Sequence, residues 1–249
     1  MIGTYSTSSR VWRLVALLSF ATNLSGCLAV NEYLVSAAEP ASHDFRVSRI
    51  GKFQIGDAVF IVKPSNAVMI STAGEFLLPI PIDRTYFDPD EQGYASVYYE
   101  YKQLGKTHAA KYFIVEMLLL TGNERVELNP EGIVLTVDNK ETHPSGYFKL
   151  EKRYGSTLGT SYITGLCKIP GDKSWSPKNP LSEVTEIPVH TAMKFDERAT
   201  YCYAIKFKLP PPDPRKRFSI RFGGVVIDGK DVSELGIRFE PDTYTERHA

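Results

Sequence analysis

Cysteine is scarce in this chain of 249 residues: there are three, Cys27, Cys167 and Cys202, with no Cys-x-x-Cys spacing among them. That excludes a zinc knuckle or a thioredoxin-like redox pair encoded in one short segment. Histidine is equally thin, five residues dispersed as His43, His108, His143, His190 and His248. There is no His-Glu-x-x-His and no Gly-x-Ser-x-Gly; Gly155-Ser156-Thr157-Leu158-Gly159 has the glycines but sets serine in the wrong place. Catalysis would need a triad assembled from distant residues, and no metal or cofactor is expected. Net charge is absent too, with 29 basic and 29 acidic residues, so whole-surface attraction to nucleic acid is excluded. The mature chain has hardly any helical period. Its one calcium-like opening, Asp88-Pro89-Asp90-Glu91-Gln92-Gly93, has Tyr99 at the twelfth position, where a bidentate glutamate is needed, and reads as a solvated turn.

A long hydrophobic run is missing as well. Val11 to Ala21 is apolar apart from Arg13 and Ser19, about half of the roughly 20 residues that a bilayer-spanning helix requires. With Arg10 and Arg13 as its positive region, it has the shape of a secretory signal. Leu24-Ser25-Gly26-Cys27 ends the run, and here the chain resembles bacterial lipoproteins, whose lipobox has this order of residues. The resemblance implies cleavage between Gly26 and Cys27, a diacylglycerol on the Cys27 sulfur and a third acyl chain on its new amino group. Small side chains at Ser25 and Gly26 suit an extended backbone entering a peptidase. Two or three acyl chains, at about 0.8 kcal/mol per buried methylene, hold stably where one holds marginally. Leu28, not Asp, follows Cys27, which in Gram-negative lipoproteins implies the outer membrane. Residues 1–26 are thus read as signal peptide, 27–43 as lipidated cysteine and flexible tether, and 44–249 as the folded domain.

Removing Arg10 and Arg13 with the signal leaves 27 basic against 29 acidic residues, still near neutral. With Cys27 acylated, Cys167 and Cys202 remain as an even pair in an oxidising space: either a disulfide or two separate thiols.

Beyond residue 44, short apolar runs alternate with turn signals. Gly51, Gly56-Asp57, Pro64-Ser65-Asn66 and Ala73-Gly74 divide the first stretch, with Ala58 to Val62 its clearest strand. Pro79 to Ile82 cannot sit mid-sheet, since proline donates no ladder bond. The strongest strand is Lys111 to Thr121, apolar on one face and nearly so on the other, where Glu116 interrupts. Ile133 to Val137 follows, and the two suggest the middle of one sheet. Further on, Tyr201 to Leu209, Arg217 to Phe222 and Leu235 to Glu240 alternate as half-buried strands with polar outer faces. Gly223-Gly224 reads as a bulge. The pattern predicts an all-β fold, a two-sheet antiparallel sandwich, and the run from Tyr112 to Tyr147, with its later partner Tyr201 to Phe222, resembles in pattern the immunoglobulin-like accessory domains of envelope lipoproteins. The alternation puts Cys202 on the outer face, so a bridge to Cys167 would clip the irregular loop onto a sheet's exterior.

Two surface leads remain. Lys206, Lys208, Arg215, Lys216, Arg217 and Arg221 place six cations within sixteen residues, and alternation predicts Lys206, Lys208, Arg217 and Arg221 on one outward face, suited either to solvent or to anionic lipid or envelope polymer near the anchor. Tyr94, Tyr98 and Trp175 are candidate sugar-stacking aromatics. The reading is a lipid-anchored cell-envelope protein acting as a non-catalytic binding or structural module. Its partners are membrane lipid through Cys27 and another envelope protein or anionic polymer, with no nucleic acid. The competing reading is an envelope hydrolase with a dispersed site.

Overall fold

The computed structural model of the protein describes residues 28–40, 51–75, 81–86, 112–152, 166–171, 184–232 and 235–248. In chain order the strands are Leu28–Pro40 (β1), Lys52–Ile55 (β2), Ala58–Pro64 (β3), Val68–Glu75 (β4), Pro81–Tyr86 (β5) and Phe113–Leu120 (β6). Then come Val126–Leu128 (β7), Ile133–Val137 (β8), Lys140–Thr142 (β9), Pro144–Lys152 (β10), Cys167–Lys168 (β11) and Glu186–Ile187 (β12). Met193–Phe195 (β13), Thr200–Phe207 (β14), Phe218–Phe222 (β15), Val225–Ile227 (β16), Lys230–Val232 (β17) and Leu235–His248 (β18) complete the series. The described residues hold no α-helix, only a 3-10 turn at Pro130–Gly132.

The strands form antiparallel sheets. The first runs β5-β4-β1-β18-β15-β8-β9; the second runs β11-β10-β14-β6-β3-β2, with β12 on β10; a small third runs β13-β7-β16-β17. Period-two alternation gives each sheet an apolar inner face, and these faces meet in one core. Phe113 of the second sheet meets Phe218 of the first edge-on at 5.8 Å, and Phe53 lies 6.3 Å from Phe222. The all-β antiparallel sandwich is therefore as predicted.

The turn signals worked where they act locally. Gly56 takes a φ of 53° in the hairpin between β2 and β3. At Gly51, with φ 67°, an added Cβ would lie 2.4 Å from the carbonyl oxygen of Val62, so no side chain fits. Pro81 opens β5 at the edge of its sheet, as the missing amide donor requires. Gly74, in contrast, sits inside β4 and not in a turn.

Three expectations are corrected. The stretch from Leu28 to Pro40 is not a tether: β1 pairs with β18 through twelve consecutive residues, from Ala29 opposite His248 to Pro40 opposite Ile237. On its other side Leu28 to Leu34 pair with β4. Backbone pairing on both sides overrides a composition poor in strand formers. Second, β6 and β8 do not share a sheet; β7 intervenes and carries the chain from the second sheet to the first. Third, Gly223-Gly224 is a corner, not a bulge. The Gly223 amide donates to the Gly132 carbonyl at 2.8 Å, and a Cβ on Gly132 would lie 2.2 Å from the Gly223 oxygen. The chain leaves the first sheet for the third at this contact.

The second sheet is also covered on its outer face. Ile61, Ile114, Leu118, Phe148, Cys202 and Ala204 pack there beneath Leu166, Cys167 and Ile169. Cys167 and Cys202 form a disulfide with a Cα–Cα distance of 5.7 Å. The bridge does clip a loop segment onto the sheet exterior, and it makes that part of the face of β14 buried instead of polar.

Candidate functional site

The six cations do not share a face. β14 lies in the second sheet and β15 in the first, with Phe207 of one and Phe218 of the other both turned into the common core. Lys206 and Arg217 or Arg221 therefore point from opposite exteriors. Alternation within one strand says nothing about which sheet the next strand joins. Lys206 ion-pairs with Glu186 at 2.8 Å and lies 4.3 Å from the Tyr112 ring centroid; Lys208 is exposed just past the end of β14.

Three of the six do converge, and a fourth cation joins them. Arg215, Lys216 and Arg217 meet Arg238 of β18 around an open groove of about 750 Å³ on the first sheet. Its floor is a ladder of outward residues: Ser219 stands opposite both Thr136 and Arg238 in register. One wall is the β8–β9 turn, where Asp138 and Asn139 take φ of 48° and 61°, as a two-residue hairpin demands. The other is the proline loop before β15, which Asn66 pins. The Asn66 amide donates to the Pro212 carbonyl and to Ser36 Oγ of β1, both at 2.9 Å, and is buried.

Each of three groove cations has an acid beside it. Arg215 binds Asp213 at 2.8 Å, Lys216 lies 3.6 Å from Asp138, and Arg217 pairs with Glu240. The side-chain hydrogen bond from Arg215 holds the Asp213 carboxyl below the usual carboxylate range. Arg221 lies further along β15, 4.0 Å from Glu141. Among the groove's lining residues, four cations face two acids, Asp138 and Glu240. Exposed pairs of this kind contribute only about 0–1 kcal/mol each, so an incoming carboxylate or phosphate can compete for the guanidinium groups, whose planar forks bind such groups bidentately. Arg238 and its hydroxyl neighbours escaped the charge count along the sequence because they come from separate strands. The signal was present: Arg238 alternates outward between Ile237 and Phe239.

Other titratable groups stand apart from the groove. The Glu116 carboxylate is buried on the outer face of β6 and accepts the Leu166 amide at 2.7 Å, tying down the disulfide segment; Lys63 stands opposite it in register. Tyr147 donates to the Thr191 carbonyl at 2.9 Å. His143 Nδ1 lies 3.0 Å from the Glu131 carbonyl oxygen, and His190 is exposed in a turn. Among the described residues, no three His, Cys, Asp or Glu side chains gather as a metal-binding set, and no helix is long and apolar enough to cross a membrane. Gly26 and Cys27, His43, Asp88 to Gly93, Tyr94, Tyr98, His108, Gly155 to Gly159 and Trp175 lie outside the described residues. No protein-family model, no curated protein and no solved structure matches the chain.

Proposed function

We propose that this chain is a lipid-anchored, extracytoplasmic module of a bacterial cell envelope that binds a partner and does no chemistry of its own, its sandwich an immunoglobulin-like variant. The observation that carries the reading is Leu24-Ser25-Gly26-Cys27 closing an apolar run too short to span a bilayer. The Cys167–Cys202 bridge supports it, since such bonds persist in oxidising compartments. In a Gram-negative host, Leu28 after the cysteine directs the protein to the outer membrane. The groove around Arg238 supplies the binding surface, and its cations and hydroxyls suit an anionic envelope polymer.

Metabolic labelling with an alkyne fatty acid, followed by fractionation, tests the anchor. Wild-type protein should take up label and sediment with membranes, and Cys27→Ala should do neither. A Cys27→Ala protein that stays with membranes, or a wild type that never takes up label, sinks the reading.

A further inference from the structure

We infer that the groove is turned away from the anchoring bilayer and takes a carboxylate- or phosphate-bearing glycan polymer beyond it, not the headgroups beneath it. The inference rests on the anchored reading and adds where the ligand must be. Cys27 directly precedes Leu28, the first residue of β1, so there is no spacer to let the domain drift or tumble. The membrane-proximal end of the ribbon is then Leu28 opposite Glu75, and Ala29 opposite Gly74 and His248.

From Ala29 the β1–β18 ladder runs without a register shift to Glu39, which stands opposite Arg238 of the groove. Ten strand steps at 3.3 Å put that residue roughly 33 Å along the strand from the anchored end. Screening decays over about 8 Å at physiological ionic strength. A groove several screening lengths from the headgroups gains nothing from their charge. Laying the first sheet flat would close that distance, but it would press Glu39, Glu240 and Glu141 toward the same anionic surface as the cations. On the groove's side of the ribbon, the near-half residues of β18 whose side chains are described are Asp242 and Tyr244, opposite Val35 and Tyr33 of β1, and neither is a cation. The groove itself is open and interleaves Thr136 and Ser219 hydroxyls with its guanidinium groups, a lining matched to a chain carrying both anionic groups and sugar hydroxyls.

The test uses the full acylated protein in vesicles, with a fluorophore on a single added cysteine. Gly74→Cys reports the near end, where an added Cβ meets nothing within 4 Å; Lys140→Cys, exposed on β9, reports the groove end. A lipid-borne quencher should quench the first label and spare the second, whether the vesicles are neutral or rich in anionic lipid. The same vesicles should bind polygalacturonate, and Arg238→Glu with Lys216→Glu should weaken that binding roughly tenfold or more while leaving vesicle attachment unchanged. Equal quenching of both labels, or polymer binding indifferent to the two reversals, overturns the inference while the anchor stands. Loss of acyl label on the wild type overturns both.

Discussion

Asn66 illustrates what a single buried amide can hold. It sits where the chain crosses from the second sheet to the first, and its two hydrogen bonds join β1 to the proline loop that walls the groove. Asn66→Ala leaves the Pro212 carbonyl and Ser36 hydroxyl without this donor, a loss of about 1–3 kcal/mol that urea denaturation would register as a lower midpoint. The sequence marked Asn66 only as part of a turn, because its partners lie 30 and 146 residues away. Tyr203 gives a pH signature. Burial, with Tyr147 and Tyr201 close by, pushes its hydroxyl from 10.0 up to about 12. The unfolded chain releases this proton first, so the contribution to stability is complete below about pH 10 and falls away as pH rises through about 12. Tyr203→Phe should move alkaline unfolding, followed by circular dichroism, to higher pH; an unmoved midpoint would assign that transition to other groups.

Among the elements, β6 was the most legible, and for a physical reason. It lies between β14 and β3, and both its faces are covered, so its sequence reads apolar on both sides with Glu116 as the one exception. That exception proved to be the acceptor that fastens Leu166. β14 and β15 were legible because period-two alternation survives in their sequences, and β3 and β8 because each is a short continuous apolar run between turn signals. β7, β13, β16 and β17, at three residues apiece, complete too little of a period to read. The disulfide segment behaves as a clip on the second sheet, and Cys167→Ser with Cys202→Ser should lower stability by about 4 kcal/mol on the chain-entropy account of a closed loop. Because Leu166 and Ile169 then cover Ile114 and Leu118 less firmly, amide exchange should rise first around residues 166–171 and on β14. Exchange that rises uniformly would mean that the clip acts through the unfolded chain alone.

At the scale of the molecule, near-zero net charge hides a local imbalance. The groove gathers cations from the proline loop and from β18. Binding of a polyanion there should weaken steeply with added salt, because the pairs are exposed and screened; affinity unchanged between low and physiological ionic strength would point to an uncharged ligand. Sheet membership decided this site, and sheet membership is set by contacts far apart in the chain, which is why a local charge count found three of its cations and missed the fourth. The same long reach governs β1. It emerges first, yet the strand it must join, β18, lies at the far end of the described chain. Closing so distant a contact comes late and slowly in folding. Until then β1 can pair only with β4 on its other side, so the seam that joins the two ends of the described chain is the last part of the first sheet to close.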